Sequence, residues 1–214
     1  MTTNPERSDL SKRDRDTSEE LSGGQFFLEM VKVFLLAAVI IIPVRVFLFQ
    51  PFFVQGSSMV PNFENGEYLV VNELGFKQTE VGLPGQPIFT VPSIESLPRQ
   101  QPIVFRSPQE HGIYLIKRVI GLPGETVRIE HSKIIIENDA HPDGFVLDES
   151  SYLAPSVLTT DMKPLTLGHG QYFVLGDNRM NSLDSRVFGA VDRKLVVGRV
   201  LLRAWPLSRA AWYR

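Results

Sequence analysis

The sequence predicts a mostly β protein, built of antiparallel strands and preceded by one N-terminal transmembrane helix. After residue 64, short runs rich in β-branched and aromatic residues recur between clusters of Gly, Pro, Asn and Asp. Before it lies a single long apolar run, Val33 to Phe49, broken in polarity only by Arg45. Fifteen prolines and sixteen glycines in 214 residues supply the turns that many short strands need.

Taken in order, residues 1–24 are polar, mixed in charge and nearly free of large apolar side chains. Such a segment cannot bury enough surface to fold alone and is expected to be a disordered tail. The 17 residues from Val33 to Phe49 would span about 26 Å as a helix, slightly under a bilayer core. Arg45 can snorkel to the interface, Phe52 and Phe53 extend the apolar zone, and Pro43 can kink the helix. A cleaved leader fits poorly, because the polar lead is long and "FLFQPFFVQG" offers no A-x-A-like site. A buried core helix is the competing reading of so short a run, and an uncleaved anchor over 25–54 fits best. Arg13, Arg15 and Lys32 precede the apolar run, and after Arg45 no cation follows until Lys77. The tail is therefore expected in the cytoplasm and residues 55–214 outside, in a single-pass arrangement.

In that outer domain the strand-like runs are 67–74, 102–107, 112–121, 126–130, 133–138, 171–176 and 194–205. The stretches 77–101 and 139–170 are proline-rich or polar and read as long loops, or as a less regular insertion at 139–170. No internal repeat is evident.

Composition narrows the chemistry. The chain is 43% hydrophobic and 21% charged with a formal net charge of −2, so nothing electrostatic favours nucleic acid as a partner. The absence of cysteine excludes a thiol nucleophile, disulfides and thiolate metal sites. His111, His131, His141 and His169 lack metal-type spacing and fall in loop-like settings. Neither a metal nor another cofactor is expected, and any serine nucleophile needs a base other than histidine.

Three stretches could carry such chemistry. "VQGSSMVP", Val54 to Pro61, is turn-like and holds Ser57 and Ser58. In "YLIKRVIGLPGE", Tyr114 to Glu125, strand alternation sets Leu115, Lys117 and Val119 on one side and Ile116, Arg118 and Ile120 on the other. Two edge cations with heads in water are the bland account. The functional one is a desolvated Lys117, whose lowered pKa lets a neutral amine take a proton from a hydroxyl. "GDNRMNSLDSRVFG", Gly176 to Gly189, reads as a polar loop held by its own side chains, with Asp184 and Arg186 placed to pair.

In this order, and after an apolar anchor, the three motifs resemble bacterial type I signal peptidases over essentially residues 25–206. The resemblance implies an antiparallel, barrel-like signal-peptidase fold with a substrate groove. It implies a serine endopeptidase that cleaves signal peptides from exported preproteins after A-x-A-like sites. Ser58 would be the nucleophile and Lys117 the general base. Ser182 would orient the lysine, Asp184 and Arg186 would hold the site together, and Phe52, Val54, Phe63 and Ile116 would line shallow substrate pockets. The partners implied are preprotein signal peptides and a lipid bilayer, whether plasma membrane or thylakoid.

One departure concerns Gly56, where many family members carry a serine whose hydroxyl helps form the oxyanion hole. The Ser58 N–H can still donate, yet losing one such donor can cost about 10²–10³ in rate. Other members of the family also carry glycine there. Ser57 is expected to point away and to be a bystander. Asn62 and Glu125 replace a commoner threonine and aspartate. Two other readings are a self-cleaving Ser/Lys protease of related fold, and a non-catalytic anchored module that binds exported peptides. Ser58 follows Phe49 by nine residues, so it lies within roughly 30 Å of the end of the apolar run.

Overall fold

The computed structural model describes residues 23–43, 49–73, 75–76, 79–83, 86–91 and 97–213. The chain divides into two compact units, Met1–Val44 and Arg45–Arg214. Residues 1–22, most of the expected disordered tail, lie outside the described residues.

In the first unit, helix α1 covers Gly23–Pro43. Glu29 and Lys32 pair on its first half at 2.9 Å, so its continuous apolar stretch starts only at Val33. From there to Pro43 the helix rises about 16 Å, roughly half a hydrocarbon core. Among the described residues, no helix is long and apolar enough to cross a membrane. Phe26, Phe27, Phe34, Leu36 and Val39 nevertheless stand more than half exposed.

The second unit is antiparallel β. An eight-stranded sheet contains β1 (Phe49–Phe53), β2 (Tyr68–Asn72), β5 (Pro102–Arg106), β6 (Tyr114–Gly121), β11 (Gln171–Leu175), β12 (Val191–Asp192), β13 (Val196–Trp205) and β14 (Ala211–Trp212). Its order is β1-β2-β13-β5-β6-β11-β12, with β14 also paired to β13. A four-stranded sheet runs β10-β7-β8-β9, from Met162–Thr166, Thr126–Glu130, Lys133–Asn138 and His141–Val146 respectively. Strands β3 (Thr79–Leu83) and β4 (Gln86–Val91) form a separate hairpin. A single helical turn, α2 (Ser185–Phe188), follows β11.

Strand β6 organises this arrangement because it is buried on both faces. Val119 packs with Ile103, Phe105, Tyr172 and Val174 in one core. Its neighbour Ile120 packs with Phe173, Leu175, Val127, Ile129, Ile134 and Ile136 in another, which joins the two larger sheets. Ile103 stands opposite Lys117 on β5, and Leu175 opposite Arg118 on β11, so neither cation is at an edge. After β6, the Glu125 carboxylate accepts from Leu122 N–H at 2.8 Å and pairs with Arg99. Burial pushes the Glu125 pKa up, but hydrogen bonds from Arg99, Asn138 and Leu122 outweigh it and hold the group low.

Two sequence expectations differ from this picture. Phe49 does not continue an apolar helix but opens β1, which pairs with β2 from Phe49↔Asn72 to Phe53↔Tyr68. A short apolar, aromatic run suits a strand as well as a helix, and Pro51 is tolerated because β1 is a sheet edge. Likewise 77–101 contains the β3–β4 hairpin, and 139–170 contains β9 and β10. Pro142 and Pro164 suggested loops, yet they sit in the two edge strands of the smaller sheet, where a missing donor breaks no ladder.

Gly198 on β13 shows how tightly the large sheet is joined. A Cβ there would fall 2.1 Å from the Asn72 carbonyl oxygen and 2.8 Å from Val71 Cγ1. Gly198→Ala should therefore lower stability by about 1–3 kcal/mol, read as a shift in the urea midpoint of the full chain in detergent. An unchanged midpoint would show that β2 and β13 can separate at no cost.

Candidate active site

The loop that carries Ser58 leaves β1 through Val54, which is held by hydrogen bonds to Glu67 and Gly66. Gly56 then takes φ +90°, a conformation that favours glycine, and donates its N–H to Asn65 Oδ1 at 3.0 Å. Met59 is buried beside Phe63, Leu69 and Val71 and plugs the loop into the core. The chain reversal leaves Ser58 at the surface of a cleft of about 120 Å³, lined by Phe52, Val54, Leu69, Tyr114, Ile116 and Lys117 among others.

Lys117 Nζ donates to Ser58 Oγ at 2.7 Å and to the Ile116 carbonyl at 2.9 Å. Only 2% of the lysine is exposed. Burial lowers its pKa from 10.5 to about 8, against the opposing pull of Asp184 and then Asp177. An amine so placed is neutral in a useful fraction of molecules near pH 8, and its lone pair can then accept the hydroxyl proton. All four histidines are exposed and none lines the cleft.

Beyond β11 the chain turns back on this pair. Asp184 is fully buried, accepts from Gly176 N–H at 3.0 Å and is gripped by both arms of Arg186 at 2.8 Å. It also caps α2 through Arg186 N–H. Ser182 Oγ is buried and finds no partner among the described residues. It lies against Gly176, not in hydrogen-bond contact with Lys117. Of the residues expected to line the cleft, Phe52, Val54 and Ile116 do so. Phe63 is fully buried and stacks on Tyr213 with centroids 4.9 Å apart, so it supports the wall from behind.

Other participants escaped the sequence reading. Tyr114 meets Phe52 edge to face at 5.5 Å on the cleft wall; its place two residues before Ile116 on one strand could have indicated this. Arg118 forms a fork with Asp177 at 2.8 and 2.6 Å, with its guanidinium 4.0 Å from the centre of the Tyr152 ring. Asn62 Nδ2 joins the same group, donating to Asp177 at 2.9 Å and to the Tyr152 carbonyl at 2.8 Å. Tyr152 donates to Glu149, which also pairs with the buried Arg179. Burial first, then the charge of Glu149, push the Tyr152 hydroxyl pKa up. Residues 149–152, in the stretch expected to be a less regular insertion, thus reach the residues beside the cleft.

At Gly176 a Cβ would come within 2.1 Å of Ser182 Oγ and 2.5 Å of the Ser58 carbonyl oxygen. Gly176→Ala must separate these groups. It should reduce the turnover of the site by more than tenfold while leaving a folded β domain by circular dichroism. Undiminished turnover would mean that this close approach is dispensable.

Known proteins resemble this chain over most of its length. The family described as signal peptidase, peptidase S26, matches residues 27–205. Signal peptidase I T of Bacillus subtilis (strain 168) is 35% identical over 186 residues, covering 85% of this chain and 87% of that protein. Signal peptidase I of Bacillus licheniformis is 34% identical over 184 residues, covering 84% and 89%. A solved signal peptidase I from Enterococcus faecalis V583 is 36% identical, with a TM-score of 0.40 over 50% of this chain and 98% of that one. By its motifs, the family match over 27–205 and the two Bacillus relatives, the chain belongs to the signal peptidase family, peptidase S26.

Proposed function

We propose that the protein is a membrane-anchored serine endopeptidase that removes N-terminal signal peptides from exported preproteins after A-x-A-like sites. Ser58 is the nucleophile and Lys117 the general base. The observation that carries this reading is the 2.7 Å contact between Ser58 Oγ and a buried lysine whose pKa is lowered to about 8.

In the proposed cycle, neutral Lys117 takes the Ser58 proton as Oγ attacks the scissile carbonyl. The resulting ammonium then protonates the leaving amine. The freed amine next activates a water that hydrolyses the acyl-enzyme. The Ser58 N–H donates to the oxygen on which charge develops. Asp184 and Asp177 favour the ammonium and so stabilise the protonated base formed during the attack.

The cleft suits the substrate. It is small and walled by apolar side chains, so it selects small residues by excluding large ones. Among the described residues, strand β1 lies at one edge of the large sheet, where an extended peptide can add as a further strand. Anchoring is supported by the exposed apolar side chains of α1 and by the cations that precede the apolar run. With this polarity the catalytic domain lies outside the cytoplasm.

Ser58→Ala and Lys117→Met should each reduce cleavage of a preprotein by about 10⁴-fold or more, and retained cleavage in either would remove the dyad. Because the active form of Lys117 is the deprotonated one, kcat/KM should rise with pH along a limb centred near 8. A rate that falls as pH climbs through 8 would require a protonated group instead and contradict the assignment.

A further inference from the structure

Gly56 cannot supply a side-chain donor, and its own N–H is already committed to Asn65. The burden of receiving an oxyanion therefore falls on the Ser58 N–H, for which no described residue is an acceptor. A single donor works only if its direction is set in advance. The loop that follows β11 supplies that direction.

Asn178 holds both peptide groups that flank the Ser58 Cα. Its side-chain Nδ2 donates to the Ser57 carbonyl at 3.1 Å. Its backbone N–H donates to the Ser58 carbonyl at 3.0 Å. The Val60 N–H also reaches the Ser57 carbonyl, at 3.2 Å. The Ser57–Ser58 peptide is trans, and in a trans peptide the C=O and the next N–H point in opposite directions within one plane. Whatever grips the Ser57 carbonyl therefore aims the Ser58 N–H away from Asn178. Asn181 adds a fourth tie, donating from Nδ2 to Ser57 Oγ at 2.9 Å.

We propose that Asn178, supported by Ser57 and Asn181, is a positioning residue that aims the Ser58 N–H at the developing oxyanion. It does so by clamping the peptide plane between the two serines. Ser57 is then no bystander: its hydroxyl is the handle by which Asn181 steadies the same plane. None of the three need touch substrate. The inference rests on Ser58 being the nucleophile.

The test uses the full chain in detergent and a preprotein bearing an Ala-x-Ala site. Asn178→Ala should lower kcat by about 10- to 100-fold, with KM within about twofold and the midpoint of the pH–rate limb unmoved. Ser57→Ala should lower kcat severalfold, and Ser57→Thr, which keeps the hydroxyl, should restore it. Wild-type kcat in Asn178→Ala overturns the proposal. So does a loss that arrives with a displaced pH midpoint, since Asn178 would then be acting through Lys117. Should Asn178→Ala fail to fold, the exposed Ser57 pair decides: equal kcat in Ser57→Ala, Ser57→Thr and wild type overturns it. Cleavage that survives Ser58→Ala removes the nucleophile itself and this inference with it, a failure seen in that variant alone.

Discussion

An ammonium in an apolar setting loses the water that stabilises its charge, and the rest of the site is arranged around that loss at Lys117. The lysine comes from β6, a strand buried on both faces, so its position is as rigid as the core. Its burial lowers its proton affinity, and the buried carboxylates of Asp184 and Asp177 stop the fall near 8. Ser58 Oγ meets the lysine where both line the cleft. Had either aspartate been left bare, its own desolvation would have opposed folding, and each is therefore saturated by an arginine fork: Arg186 on Asp184, Arg118 on Asp177.

The site is consequently a set of neighbouring ion pairs more than a pair of reacting groups. Asp177 ties the 176–182 loop to β6 through Arg118 and to the Ser58 loop through Asn62. Arg179 ties the same loop to Glu149 and Thr159 and closes it on itself at the Gly176 carbonyl. The Ser58 segment is thus approached by β6, by the loop after β11 and by residues 149–152. Buried polar groups satisfied in this way specify one geometry, because every alternative leaves a donor or acceptor unpaired. Ser182 is the exception, with a buried hydroxyl that has no partner among the described residues.

Much of this was legible in the sequence, for reasons that can be assigned. The strands after residue 64 carried their own period and punctuation, so most were recognised within a residue or two. Ser58 and Lys117 were legible as motifs, and the structure brings them to hydrogen-bond distance. What escaped were properties that depend on neighbours in space. Alternation implied that one of Lys117 and Arg118 faces apolar neighbours, whereas both are buried because β5 and β11 flank β6. Prolines 51, 142 and 164 carried no information on whether they occupied loops or edge strands. Phe63 looked like pocket wall, and the stacking of Tyr213, 150 residues away in the chain, put it in the core. The hydrogen bonds made by the amides of Asn62, Asn178 and Asn181 were not legible in turn-rich text.

The adjacency of Lys117 and Arg118 carries a consequence for how this strand can vary. The two residues bear the same formal charge and differ by one position, yet they are not exchangeable. In the proposed dyad the first must be able to become neutral, and a guanidinium in its place would stay charged at any physiological pH. The second must present a planar fork to Asp177 and a flat face to Tyr152, and an ammonium offers neither. Reversing the dipeptide would preserve composition, net charge and hydropathy while removing the titrating group from one face and the permanent cation from the other. At this point in the chain, order is chemistry.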